Sequence, residues 1–113
     1  MSQDCLFCRI VRGEIPATLV AESDDAIAFK DLNPQAPVHV LVVPRTHVRS
    51  LAEEADPKIL GAVLTLASQV AREQGVEDSG YRTVINTNAD AGQSVHHLHA
   101  HVIGGRHMAW PPG

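Results

Sequence analysis

Histidines alternate with apolar residues in the segment from His96 to Gly105, which reads HHLHAHVIGG. Side chains of a β-strand point to opposite faces with period 2, so a strand here places His97, His99 and His101 on one face. Alternate Cα atoms of a strand are roughly 6 to 7 Å apart, so all three imidazoles can reach one substrate or ion. The alternative is an edge strand with solvated histidines, which four of the seven histidines within six positions disfavour. The segment therefore predicts a strand that carries a functional site.

The composition describes an ordinary globular protein. Hydrophobic residues make up 44% of the 113 residues and charged residues 19%, and no apolar run approaches the ~20 residues that cross a bilayer. A chain of this length is expected to form one domain, residues 1–113. The first residues, Met1 to Asp4, lack the basic and apolar regions of a signal peptide, so we expect a cytoplasmic protein.

The charge balance argues against nucleic acid as a partner. The formal net charge is -4, and the nine lysines and arginines form no cluster. Affinity for duplex nucleic acid depends on neutralising phosphates with clustered cations. A small anionic ligand is compatible with this balance, because backbone N–H groups bind phosphate without net positive charge.

Hydrophobic periodicity and turn-forming residues predict the helices and strands. Asp4 is the predicted cap of a short helix that runs to about Arg12, and Gly13 ends it. Asp56-Pro57 starts the main helix and Gly75 ends it. Its expected apolar face consists of Leu60, Val63, Leu64, Ala67, Val70 and Ala71. The predicted strands are Leu19–Glu22, Ala26–Lys30, His39–Val43, Tyr81–Asn86 and the histidine segment.

Three histidines on one strand face support two chemistries. Neutral imidazoles are good metal ligands, and three of them with an open position form a catalytic zinc site. Alternatively, one imidazole attacks phosphorus while a neighbour handles the proton. The polar residues Asn86, Gly92, Gln93 and Ser94 precede the segment, where a loop could aim donors at a phosphate oxygen. A metal triad does not need such donors, but the residues alone leave both chemistries open.

Two cysteines form a second candidate site. Cys5 and Cys8 have the spacing of half a tetrahedral zinc site. Reduced thiols on a short helix and a redox pair are the alternatives, the latter disfavoured because no thioredoxin-like βαβ pattern surrounds them. His47 is the best candidate for a third ligand, and His97 could be the fourth.

The histidine segment and several shorter motifs together resemble one protein family. His97-Leu98-His99-Ala100-His101-Val102-Ile103 has the alternation of the histidine triad (HIT) superfamily, and Gly92-Gln93-Ser94 precedes it as in that family. The chain is similar to the Hint branch, the nucleoside phosphoramidases, through Ile15-Pro16-Ala17, Phe29-Lys30-Asp31, Pro34-Gln35-Ala36-Pro37-x-His39 and the ending from Gly104 to Gly113 with its Trp110-Pro111-Pro112.

The resemblance implies an α+β fold. Its sheet has five antiparallel strands, with one main helix and a short N-terminal helix. Two chains pair into a symmetric homodimer whose sheets join into one. In that dimer the tail around Trp110 reaches toward the neighbouring subunit's site.

The resemblance also implies a mechanism. His99 attacks the α-phosphorus of a purine nucleoside phosphoramidate, or of an acyl-adenylate. Water then hydrolyses the nucleotidyl-imidazole intermediate to AMP. His101 bonds the phosphate and helps to protonate the leaving amine, His97 orients the triad, and His39 sits behind the nucleophile. Catalysis needs no metal.

Further roles follow from the same resemblance. Phosphate oxygens and the leaving group contact Asn86, Gln93 and Ser94 beside Gly92. Asp31 contacts the ribose hydroxyls, and the base lies against Leu32, with Phe7 and Ile10 as pocket walls.

Position 96 is histidine where an aromatic residue is usual in the eukaryotic Hint pattern. Cys5, Cys8 and His47 occur together, as in bacterial relatives that hold a structural zinc with the first triad histidine, here His97, as fourth ligand. The alternatives are a nucleotide-binding regulatory module with incidental hydrolysis, and a metal-dependent hydrolase that uses all three triad histidines as ligands.

Overall fold

The computed structural model describes residues 5–113, which form one five-stranded sheet and two α-helices. The strands are antiparallel and lie in the order β1-β2-β3-β5-β4. The arrangement confirms the predicted α+β fold with one main helix and a short N-terminal helix. In chain order the elements are α1 (Leu6–Val11), β1 (Leu19–Glu22), β2 (Ala26–Lys30), β3 (Val38–Pro44), α2 (Pro57–Glu73), β4 (Tyr81–Val84) and β5 (Ala100–Gly104).

Side-chain alternation along the central strands creates two apolar layers. On one face of the sheet, alternate residues of β3 and β5, among them Val42 and Ala100, pack under α2. On the other face, Leu41 belongs to a cluster with Phe7 of α1. Leu41 is directly opposite His101 in the antiparallel pairing, and directly opposed residues share a face. His101 therefore lies on the α1 face of the sheet.

The main helix begins and ends as the sequence predicts. The Asp56 carboxylate accepts a hydrogen bond from the Lys58 N–H at 2.9 Å, and Gly75 after the last turn has a φ of +76°. Its predicted apolar face is partly wrong, because Leu64 is 51% exposed whereas Leu66 is 1% exposed. The buried residues repeat at three and four positions, which leaves Leu64 off the stripe; they are Val63, Leu66, Ala67, Val70 and Ala71.

No helix within residues 5–113 is long and apolar enough to cross a membrane.

The short helix α1 is capped by a cysteine. The predicted cap, Asp4, lies outside the described residues, and the cap in the structure is Cys5, whose Sγ accepts from the Cys8 N–H at 3.4 Å. Phe7 and Cys8 are the buried residues of this helix. The Phe7 ring packs edge-to-face on Phe29 of β2, with centroids 5.5 Å apart. This contact fixes α1 against the sheet beside the histidines.

The histidine strand is shorter than predicted. It begins at Ala100, so His97 and His99 precede it. Extending the pairing with β3 would place Leu98 opposite Pro44, and proline has no N–H to contribute. The Leu98 N–H instead donates to the Val48 carbonyl. The predicted strand Tyr81–Asn86 is likewise shorter and ends at Val84, opposite His101.

Candidate active site and metal centre

A cleft of about 280 Å³ opens between α1 and the histidines. Its walls are mostly apolar, and imidazoles lie at one end, which is the usual character of a small-molecule site. The structure brings together seven of the predicted site residues in its lining. These are Phe7, Ile10, Asp31, Leu32, Ser94, His99 and His101.

A main-chain carbonyl fixes the tautomer of His99. Its Nδ1 lies 2.7 Å from the carbonyl oxygen of His97, which can only accept, so Nδ1 carries the hydrogen. The neutral ring therefore has its lone pair on Nε2. Burial lowers the pKa of His99, although the His97 carbonyl and Asp31 oppose the shift. His99 is thus uncharged at neutral pH and has a lone pair available for attack.

A chain of hydrogen bonds fixes the tautomer of His101. The backbone N–H of Gln35 donates to His39 Nδ1 at 3.0 Å, so the His39 hydrogen is on Nε2. That Nε2 lies 2.9 Å from His101 Nδ1 and 3.3 Å from an Asp31 carboxylate oxygen. Because His101 Nδ1 accepts, neutral His101 carries its hydrogen on Nε2. The structure places His39 beside His101 rather than behind His99.

His101 offers a neutral donor next to the nucleophile candidate. Burial, together with the neighbouring rings of His99 and His39, lowers the pKa of His101 to about 4, while Asp31 opposes the shift. The ring is therefore neutral at pH 7. Its centroid is 5.1 Å from that of His99, so one ligand can contact a lone pair on His99 and an N–H on His101.

The geometry does not favour the three triad histidines as joint metal ligands. Among the described residues, no group of potential ligands contains His97, His99 and His101 together. Asp31, His39 and His101 do lie close enough to form a group. However, His39 Nε2 and His101 Nδ1 are the donor and the acceptor of one hydrogen bond, so neither nitrogen is a free ligand.

The two cysteines and two histidines, one of which is His97, form a second compact cluster of potential ligands. One ligand atom from each of Cys5, Cys8, His47 and His97 lies within 4.8 Å of the others. His97 Nδ1 is 3.4 Å from both sulfurs and 3.2 Å from His47 Nδ1. A tetrahedral zinc site requires ligand separations of about 3.3 Å between nitrogens and about 3.6 Å between nitrogen and sulfur. The four side chains therefore fit a zinc ion.

His97 is held in the tautomer that a metal requires. Its Nε2 lies 2.9 Å from the Pro44 carbonyl oxygen and so carries the hydrogen. The lone pair is therefore on Nδ1, facing the cysteines. His97 is fully buried, and this burial lowers the pKa of His97 to about 4, against the opposing effect of the Pro44 carbonyl. The ring is accordingly neutral, as a ligand must be.

The loop before the histidines is built differently from the prediction. The buried Gln93 uses its side-chain amide within the protein, accepting from the Asn88 N–H at 2.9 Å and donating to the carbonyls of Arg49 and Val95 at 2.8 and 3.2 Å. It therefore ties the loop together, while the exposed Ser94 lines the cleft. The predicted contacts Asn86 and Gly92 do not line the cleft.

The tail residue Trp110 also lies away from this cleft. It is 81% exposed, and the guanidinium of Arg82 in β4 is 5.9 Å from its ring centroid. The side chain of Arg82 also donates to the Ala109 carbonyl. These contacts hold the tail against the edge strand of its own chain.

Sequence reasoning missed two backbone groups that set the chemistry. The Gln35 N–H fixes the tautomer of His39, and the Pro44 carbonyl fixes that of His97. A turn-rich loop before His39 and a proline at the end of β3 were the available signals. Neither indicates which ring nitrogen a backbone group will face.

Comparison with known proteins identifies the family of this chain. The HIT domain family matches residues 12–108. An uncharacterized HIT-like protein of Synechococcus elongatus is 48% identical over 115 residues, covering all of both chains. A 14 kDa zinc-binding protein of Zea mays is 46% identical over 112 residues, covering 96% of this chain and 87% of the maize protein.

Solved structures share the fold. A HIT family hydrolase from Legionella pneumophila Philadelphia 1 superposes with a TM-score of 0.93 at 45% identity, covering 96% of this chain and 99% of that one. A histidine triad protein from Clostridium difficile gives a TM-score of 0.90 at 42% identity, covering 95% of each chain. The family match, the sequence relatives and the shared fold together establish that this chain belongs to the HIT domain family.

Proposed function

We propose that this protein is a Hint-type hydrolase that cleaves the P–N bond of purine nucleoside phosphoramidates, or the corresponding bond of acyl-adenylates, and releases AMP. The observation that carries the proposal is the pairing of two imidazoles in opposite tautomers. His99 offers a lone pair on Nε2 and His101 offers an N–H on Nε2, both at the cleft. A nucleophile beside a donor is what substitution at phosphorus requires.

In the first step, His99 Nε2 attacks the α-phosphorus and the bond from phosphorus to the leaving nitrogen breaks. That nitrogen takes up one proton, which solvent supplies through the His101 Nε2–H, and it departs as a neutral amine. The His99 ring becomes positively charged, and the hydrogen bond from its Nδ1 to the His97 carbonyl stabilises that charge. The His101 Nε2–H stabilises the charge that develops on the phosphoryl oxygens or the leaving nitrogen. In the second step, water attacks phosphorus and gives up one proton to solvent through His101. The bond from phosphorus to His99 Nε2 breaks, its electron pair returns to His99 as the lone pair, and AMP departs.

The rest of the cleft is suited to a nucleoside. Asp31, at the end of β2, is available for the ribose hydroxyls, although its carboxylate also contacts His39. Leu32 is 98% exposed and stands at the rim with Phe7 and Ile10 in the wall, where apolar surface can cover a purine. We expect Ser94 to contact the phosphate, with Asn86, Gly92 and Gln93 in the loop that positions it.

The nucleophile assignment predicts the effect of removing one imidazole. His99→Ala should lower kcat/KM for adenosine 5'-phosphoramidate by at least about 10³-fold, because the other imidazole of the cleft, His101, offers an N–H there and not a lone pair. Rapid quenching followed by mass spectrometry should detect a nucleotidyl adduct on His99 in the wild type and none in the variant. His96→Ala is the matched control, since His96 is exposed and outside the cleft. Undiminished turnover by His99→Ala would contradict the assignment.

We also propose that Cys5, Cys8, His47 and His97 bind one structural zinc ion. The donor set and its spacing support this, as does the name of the maize relative. Zinc would stabilise the packing of α1 and the loop after β3 by joining them to His97. The zinc would not act in catalysis, because its four protein ligands leave no open position.

Metal analysis tests the zinc proposal. Protein purified without a histidine tag should contain about one zinc per chain, and the double variant Cys5→Ser, Cys8→Ser should contain none. Chelation should lower Tm while leaving measurable turnover. Complete loss of turnover on chelation at a temperature where the metal-free protein stays folded would instead favour a metal-dependent hydrolase.

We further propose that the protein is a symmetric homodimer formed through β4. This strand pairs with β5 on one side only, so its other edge offers unpaired backbone groups. The opposite edge strand, β1, contains an irregularity between Leu19 and Ala21, and such bulges hinder pairing between edges. A continuous sheet through β4 would carry the tail with Trp110 toward the partner.

Sedimentation measures the assembly directly. Sedimentation equilibrium at micromolar protein concentration should give a molecular mass that is twice the chain mass of 12.1 kDa. Deletion of residues 110–113 should preserve the dimer but change the KM for the phosphoramidate if the tail reaches the partner's cleft. A monomer mass at these concentrations would contradict the proposal.

A further inference from the structure

The two cysteines are close enough to form a disulfide by a local rearrangement of the first turn of α1. Cys5 caps α1 and Cys8 lies one turn further, with the Cys5 sulfur 3.4 Å from the Cys8 backbone nitrogen. The two sulfurs lie within 4.8 Å of each other. Rotation of the two side chains together with an adjustment of the first turn of α1 closes the remaining gap to the ~2.05 Å of an S–S bond. Cys5 is partly exposed, so a small oxidant can reach it.

The residue between the cysteines connects them to the cleft. Phe7 packs edge-to-face on His99 with centroids 5.0 Å apart, and on His97 with centroids 6.0 Å apart. The same helix contributes Leu6 and Ile10 to the cleft wall. A change in the geometry of the first turn of α1 therefore reaches the nucleophile through one ring.

His97 makes a second connection. Its side chain faces both sulfurs, while its main-chain carbonyl holds the Nδ1–H of His99. Its ring is completely buried and cannot shift without moving its neighbours. The side chain that would lose its metal thus belongs to the residue that sets the tautomer of His99.

From these two connections we propose that Cys5 and Cys8 are a reversible redox switch. Oxidation to a disulfide expels the zinc and displaces Phe7 and His97, which weakens nucleotide binding and slows attack by His99. The inference rests on the proposed function for its effect on catalysis. The thiol chemistry and the displacement are independent of that function.

The chemistry balances with a peroxide as oxidant. One cysteine thiolate attacks a peroxide oxygen and becomes a sulfenic acid, and the O–O bond breaks to release water after protonation. The second thiolate attacks the sulfenic sulfur, which forms the S–S bond and releases a second water after protonation. The two sulfurs lose two electrons and the peroxide gains them. Zn²⁺ leaves without a change in charge, because two of its four ligands are gone; a dithiol reverses the reaction.

The test treats the zinc-loaded protein with hydrogen peroxide and follows four quantities. The mass of the polypeptide, measured under denaturing conditions so that no zinc is bound, should fall by about two hydrogens, and a chelating dye should detect release of the zinc. The imidazole NMR signals of His99 in nucleotide-free protein should shift. The Kd for AMP should rise about fivefold, as expected for the loss of one aromatic contact, and dithiothreitol with added zinc should restore all four.

Two controls separate the causes. Cys5→Ser cannot form the disulfide, so peroxide should not remove two hydrogens from it; oxidation of methionine would instead add mass. The second control is reduced wild-type protein from which a chelator has removed the zinc. It separates the effect of metal loss from that of disulfide formation, and it is valid even if the Cys5→Ser variant folds poorly. We expect a further shift of the His99 signals when this sample is oxidised.

The experiment distinguishes failure of the redox switch from failure of the proposed function. If peroxide forms no disulfide, or forms it with the zinc retained or the His99 signals unchanged, the switch is wrong. If the reduced protein does not bind AMP, the proposed function is wrong, and the His99 signals still decide whether the cysteines act on that residue.

Discussion

The hydrogen bond from His99 Nδ1 to the carbonyl oxygen of His97 is the interaction on which the proposed chemistry depends. At 2.7 Å it fixes both the orientation of the His99 ring and the nitrogen that bears its lone pair. It exists because the chain leaves the regular strand before Ala100, where Leu98 donates to Val48 instead of to β3. In a regular antiparallel strand that carbonyl would face a neighbouring strand or its edge, and the ring would lack this partner.

Because the regular strand begins only at Ala100, His97 lies outside it and contributes to two sites. Its side chain completes the cluster of cysteines and histidine, and its main-chain carbonyl accepts the hydrogen bond from His99. Phe7 reinforces the link, because one ring contacts both His97 and His99. The cluster of cysteines and histidines and the cleft are therefore adjacent parts of one structure, in which α1 is the shared wall. This proximity makes a thiol reaction at the helix relevant to chemistry at the cleft.

Local patterns in the sequence predict most of the fold. Asp56-Pro57 and Gly75 bound α2, and the apolar run before Pro44 indicates a strand buried on both faces. Features that depend on distant residues are not predictable in this way. Leu64 is exposed and Leu66 buried because the sheet decides how α2 is rotated. The late start of the histidine strand, at Ala100, depends on Pro44 and Val48, which are far away in the sequence.

Residue types in the candidate site are also readable from the sequence, but their protonation is not. Alternation places the triad histidines together, and the spacing of Cys5 and Cys8 suggests a metal. The distinct tautomers of His99 and His101 follow from a carbonyl and from a backbone N–H that acts through His39. Long-range ¹⁵N NMR of the histidine rings at pH 7 tests this most directly. We expect His99 to be neutral with its hydrogen on Nδ1, and His101 to be neutral with its hydrogen on Nε2. A hydrogen on Nε2 of His99, in either a neutral or a charged ring, would contradict its proposed role as the nucleophile.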